Sequence, residues 1–196
     1  MNFEIGEIEK LVADDQLDPA LQITKGHLEQ LPSTEFHKIL DINWLPLAEP
    51  MAIMLDRFYK SASRKIKPIE ALYCEMNAFT INFDNWFLEF FAYSRFSGRD
   101  NLDWLADYDY AKPTAVVFTN LEEVQSVYKE YIENEKWRDK TLKKAFEISE
   151  YHIILGVQQL FREAKKIGAQ SRLKWTTIPV FVTAHDYDLI YDVTRI

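Results

Sequence analysis

Three patterns in this chain of 196 residues predict an α+β fold. Residues 1–67 repeat apolar side chains at helical spacing. From Ile69 onward the period shortens toward two, as in strands. A long helix with clear end signals then precedes a C-terminal hairpin. The sum is a helical N-terminal layer (1–67) and an α+β core (68–196), in which a small, mostly antiparallel sheet is packed by two or three helices. One domain, 1–196, accommodates this length.

Asp18-Pro19 predicts a helix start, because aspartate caps and proline at the first helical position gives up no needed hydrogen bond. Leu21, Thr24, Leu28 and Leu31 then share a face, and Pro32 stops the run. Ser33 caps the next turn, with Phe36, Ile39 and Leu40 inward. A further helix spans Leu47 to Ser63 on a stripe of Met51, Met54, Leu55 and Phe58. Ile69–Met76 reads as strand, and Phe79, Ile81 and Phe83 alternate with Thr80 and Asn82 as a second. Trp86–Phe96 fits strand or helix. The spacing of Trp86, Phe90 and Tyr93, with Asp84 as cap and Glu89 turned outward, favours helix. Ala115–Thr119 is a short apolar strand. Thr119 and Glu122 then have capping-box spacing, opening a helix lined by Leu121, Val124, Tyr128 and Tyr131. The next helix begins between Trp137 and Thr141, carries Leu142, Phe146, Ile153, Val157, Leu160 and Phe161, and ends with Gly168 as left-handed cap. Ile178–Val182 and Leu189–Val193 form the hairpin around a turn at Ala184–Asp188.

The charge balance narrows the function. With 31 acidic and 23 basic residues the net charge is −8. Phosphate backbones and anionic lipid both require a basic face, so neither nucleic acid nor a membrane surface is an expected partner. Cys74 is the sole cysteine, which rules out an intrachain disulfide; its strand context predicts a buried structural thiol. The N-terminus has no basic region followed by an apolar run. The most apolar run, Trp86–Tyr93, is interrupted by Glu89 and falls short of the roughly 20 residues that span a bilayer. A cytoplasmic protein is expected.

Phe79–Tyr110 holds eleven of the chain's aromatic residues, followed and interleaved by aspartates. Asp100, Asp103, Asp107 and Asp109 do not have calcium-loop spacing. Together with Trp104 and Tyr108, residue types enriched at interface hot spots, they predict a surface for a basic protein. Trp104 fits a core position as well as an exposed one. His185-Asp186-Tyr187-Asp188 places a histidine and two carboxylates at a turn, which suits acid–base or metal chemistry and equally suits a plain turn. His27 and His37 read as polar-face residues and His152 as mid-helix. Five glycines, without a phosphate-cradling or nucleophile-elbow pattern, assign no catalytic residue, metal ligand set or cofactor.

The run Trp86-Phe-Leu-Glu-Phe-Phe-Ala-Tyr93, then Asp103-Trp-Leu-Ala-Asp-Tyr-Asp-Tyr110, then Thr119-Asn-Leu-Glu-Glu-Val-Gln125 resembles bacterial immunity proteins of polymorphic or contact-delivered toxin systems. Pro179–Asp188 extends the similarity, which covers about a third of the chain. The resemblance implies stoichiometric binding of a cognate protein toxin domain, with no catalytic residues. Asp100, Asp103, Trp104, Asp107, Tyr108 and Asp109, backed by Asp186 and Asp188, are then the partner-binding residues. Two other readings stand beside it. One is a metal-assisted hydrolase using His185 and the aspartates around it. The other is a structural or regulatory subunit of an oligomer.

Overall fold

The computed structural model describes residues 3–78, 81–82, 86–100, 102–112, 118 and 121–194. Among them are five α-helices: α1 (Ile5–Ala13), α2 (Leu17–Glu29), α3 (Ala48–Ala62), α4 (Glu122–Glu133) and α5 (Lys140–Gln170). The strands are β1 (Ala71–Met76), β2 (Leu88–Tyr93), β3 (Tyr110–Lys112), β4 (Val180–Ala184) and β5 (Tyr191–Asp192), in the order β3-β2-β1-β4-β5. Every pairing is antiparallel except the central one, where β1 and β4 run parallel. The fold is α+β, as the sequence predicts.

α5 organises the interior. Asp139 caps it, its side chain accepting from the backbone N–H groups of Thr141 and Leu142. Its middle is buried on nearly every side, from Ile153 to Phe161, because α2, α3 and β4 all pack on it. Trp44, in the segment that leads into α3, packs directly on α5 because Gly156 has no side chain in its way; a Cβ there would sit 2.2 Å from the Trp44 Nε1. One core cluster runs from Ile8 to Val193, so the helical layer and the sheet share a single interior.

Several local expectations change. Trp86–Phe96 contains a strand, not a helix. Leu88, Phe90 and Ala92 face the main core, while Phe91 and Tyr93 pack on the other side of the sheet. Pairing with β1 and β3 satisfies the backbone, and rings pack well on a pleated surface covered on both faces. The proposed cap, Asp84, lies outside the described residues. So do Phe79, Thr80 and Phe83; Ile81 sits in a turn, 69% exposed. The strand read at Ala115–Thr119 and its Thr119 cap also lie outside, except for buried Phe118.

Asp18 does not cap α2, which starts at Leu17. Its carboxylate instead accepts two bonds of 2.9 Å from the Arg162 guanidinium and ties α2 to α5. Partial burial pushes that carboxyl up, but the bonds from Arg162 and Gln159 outweigh it and hold the group below its usual range. Thr34, rather than Ser33, caps the short 3-10 turn Glu35–Asp41, with His37 closing the box. His27 is buried, edge-on to Phe3. Gly168 lies inside α5: a Cβ would meet Trp175 and Thr176 at 2.8 Å, and Arg172 takes the left-handed position instead. Trp175 is the buried residue of a 3-10 turn, Lys174–Thr177, before the hairpin. Cys74 is fully buried in β1, and burial pushes its thiol well above the usual range.

Candidate functional site

Strand alternation gives the sheet two unlike faces. Leu72, Cys74 and Met76 of β1 and Val180 and Val182 of β4 pack under the helices. On the opposite face Tyr73, Tyr93 and Phe181 meet a smaller cluster, roofed by the segment after β2. Trp104 is the centre of that roof. Its ring stands edge-on to Tyr93 (4.7 Å), Phe96 (5.3 Å) and Phe181 (5.5 Å), and its Nε1 donates to the Gly98 carbonyl at 3.0 Å. At 9% exposure Trp104 is a core residue and not a surface anchor, packed on Tyr93 and Phe181 of the sheet face beneath it.

The roof ends before the edge of the sheet. Beyond it lies a cleft of about 440 Å³, lined by Tyr73, Glu75, Glu89, Phe91, Tyr108 and His185, with Lys112 at its side. Glu75 and Glu89 face each other directly in the β1–β2 register. Opposed residues of an antiparallel pair have Cβ atoms about 4.5–5.5 Å apart, and like charges so placed repel. Glu75 is satisfied on both oxygens. His185 Nδ1 bonds Oε1, and the Tyr73 hydroxyl donates to Oε2 at 2.8 Å. Glu89 has no hydrogen-bond or ion-pair partner among the described residues.

These contacts set the protonation states. The hydrogen bond to Glu75 raises the His185 pKa above its usual range against a smaller opposing desolvation. Burial, and then Glu75, push the Tyr73 phenol far above its usual range, so it acts as a fixed donor. Tyr108 is 51% exposed and leans on Phe91 with ring centres 4.9 Å apart. An exposed tyrosine over a paired and an unpaired carboxylate can receive a cation: charge below, ring face beside.

The predicted residues separate into groups. Tyr108 lines the cleft; Asp186 does not, but its Oδ1 lies 3.5 Å from the Nε2 of His185, which does. Asp186 takes a left-handed backbone (φ 66°), which aspartate tolerates. Asp107 and Asp109 line a neighbouring hollow with Arg95 and Ser97. Asp109 also accepts from the Ser94 backbone N–H at 2.6 Å, which holds its carboxyl below the usual range. Asp100 and Asp103 are exposed along the roof. Asp188 is not gathered with His185; it stands near Tyr151 on α5, because the turn sends Tyr187 and its neighbour toward the helix. Tyr73, Glu75 and Glu89 were missed. Their signal was the alternation of polar with apolar positions in Leu72–Met76 and Leu88–Tyr93, legible once both are read as strands.

Among the described residues, no three of His, Cys, Asp and Glu are grouped to hold a metal ion, and no helix is long and apolar enough to cross a membrane. No protein-family model, curated protein or solved structure matches the chain.

Proposed function

We propose that this chain is an immunity-type recognition protein, which neutralises a cognate bacterial toxin domain in the cytoplasm by one-to-one complex formation. The cleft on the open sheet face receives a basic side chain of the partner. The observation that carries this reading is Glu89: a carboxylate opposite Glu75, without a hydrogen bond or ion pair of its own among the described residues, beside an exposed tyrosine. Folding gains nothing from that pair, and a cost of this kind falls where a site needs it. A guanidinium relieves it, pairing in its plane with Glu89 while its face stacks on Tyr108. Asp107 and Asp109 in the neighbouring hollow, and Asp186 against His185, add negative charge near the contact. The toxin itself comes from the resemblance of Trp86–Gln125 and Pro179–Asp188 to immunity proteins.

Calorimetric titration with the toxin domain encoded beside the gene tests both parts. Glu89→Ala and Tyr108→Ala each weaken the complex by about tenfold or more, the scale of a hot spot. Unchanged affinity in both variants removes the cleft from the interface. Absence of any complex with that domain removes the toxin reading.

One observation favours a second reading. The Tyr73–Glu75–His185 chain is an arrangement that can position an imidazole for acid–base work. A metal-assisted hydrolase built on His185 and Asp186 predicts stoichiometric zinc or manganese in the purified protein, lost in His185→Ala. The oligomer-subunit reading predicts self-association by light scattering.

A further inference from the structure

The β4–β5 turn also walls a second cleft, of about 760 Å³, between the approach to α1 and the first turns of α5. Ligand pockets span about 300–1,000 Å³ and combine apolar lining with a few polar groups. Lys140, Lys143 and Lys144 bring three ammonium groups to this one cleft of a protein with net charge −8. Lys143 lies 3.8 Å from Glu147, whereas Lys140 and Lys144 have no carboxylate within ion-pair distance among the described residues. Phe3 and Ile5 supply the apolar surface, Ile5 being 42% exposed, and the fully buried Ile148 lies beneath them.

Glu150 also lines the cleft, 7% exposed and hydrogen-bonded by Tyr187. Burial pushes its carboxyl up to about 8; the Tyr187 bond offsets part of that rise and Glu147 adds to it. Near neutral pH it is therefore mostly uncharged, and an anion entering the cleft meets no repulsion from it. The other groups around it do not titrate in its place. Tyr187, Tyr128, Tyr131 and Tyr151 are all held above the usual phenol range, and His27, beside Phe3 and Lys144, is held below its own. Glu4, Glu147 and Asp188 are the other carboxylates nearby.

We propose that this cleft binds a small organic monocarboxylate, its head between Lys140 and Lys144 and its hydrocarbon body against Phe3 and Ile5. This site is separate from the sheet-face cleft and does not rest on the toxin reading. Deprotonation of Glu150 places a second negative charge beside the ligand, so affinity falls as pH rises through 8.

Calorimetric titration of the full chain with sodium octanoate tests the site. Saturable one-to-one binding is expected at pH 6.5, with a dissociation constant of order 1 mM or tighter. The Lys140→Gln/Lys144→Gln double variant, whose fold is checked by circular dichroism, weakens it by about tenfold. Wild-type affinity drops between pH 7 and pH 9, while Glu150→Gln holds its pH 7 affinity at pH 9. 1-Octanol, with a similar body and no charge, binds far more weakly, and inorganic phosphate does not compete. Absence of saturable octanoate binding, equal binding of octanol, full competition by phosphate, or an unaffected lysine variant each overturns the proposal.

Discussion

A buried carboxyl such as Glu150 links one residue to the stability of the whole fold. Its folded-state pKa of about 8 stands far above that of an unfolded glutamate, so the folded chain binds the extra proton between roughly pH 4.5 and pH 8. Protons held by the folded state make stability fall as pH rises, and the loss is complete above pH 8. Glu150→Gln removes the titrating group and keeps the shape. The variant should match the wild type near pH 4.5 and exceed it by ~2 kcal/mol or more at pH 8 in urea unfolding; a difference that does not change with pH shows that Glu150 is not held protonated. Trp104 tests the opposite role at the same scale. It fills the roof over Tyr93 and Phe181, so Trp104→Ala should cost about 3 kcal/mol of stability, as large-to-small core changes do. A stable Trp104→Ala protein that still loses its partner would return this residue to the surface. The sequence held both possibilities for Trp104 open, because a tryptophan among aspartates reads the same whether its ring points in or out.

At the scale of elements, α5 and the glycine that lets Trp44 approach it show how packing overrides local rules. Gly156 costs helix stability where it stands, roughly 1 kcal/mol relative to alanine in isolation. The fold keeps it because Trp44 occupies the space of its side chain. Gly156→Ala should therefore destabilise the protein by about 1–3 kcal/mol despite the better helix propensity; thermal unfolding that shows a gain would mean that Trp44 can move aside freely. Helices α2 to α5 were legible because a stripe at helical spacing is a local signal. The hairpin β4–β5 and the strand β1 were legible from alternation and turn residues. β2 was misread as helix, since Trp86, Phe90 and Tyr93 satisfy both periods when a strand is buried on both faces. Gly168 was misread for a related reason. Glycine near the end of a helix signals a cap, and only the position of Trp175 shows that it is there for close contact.

The whole molecule joins a core to two unlike clefts that share the His185–Asp188 turn: one on the open sheet face, holding the opposed Glu75 and Glu89, and a lysine-rimmed one against α5. A net charge of −8 makes association with a basic partner a steered encounter. The association rate with the proposed toxin partner should thus fall steeply as ionic strength rises, while the dissociation rate changes little; stopped-flow rates that ignore salt would leave the acidic surface without a role in capture. The α+β class, most of the helices, the acidic balance and the stretch around Tyr108 were set by the sequence itself, since composition and period act over a few neighbouring residues. The tertiary structure decided the parallel pairing of β1 with β4, the burial of Trp104, and the placing of Glu89 against Glu75. Those depend on which distant strands come side by side and in what register, and a shift of one residue would turn Glu89 to the other face.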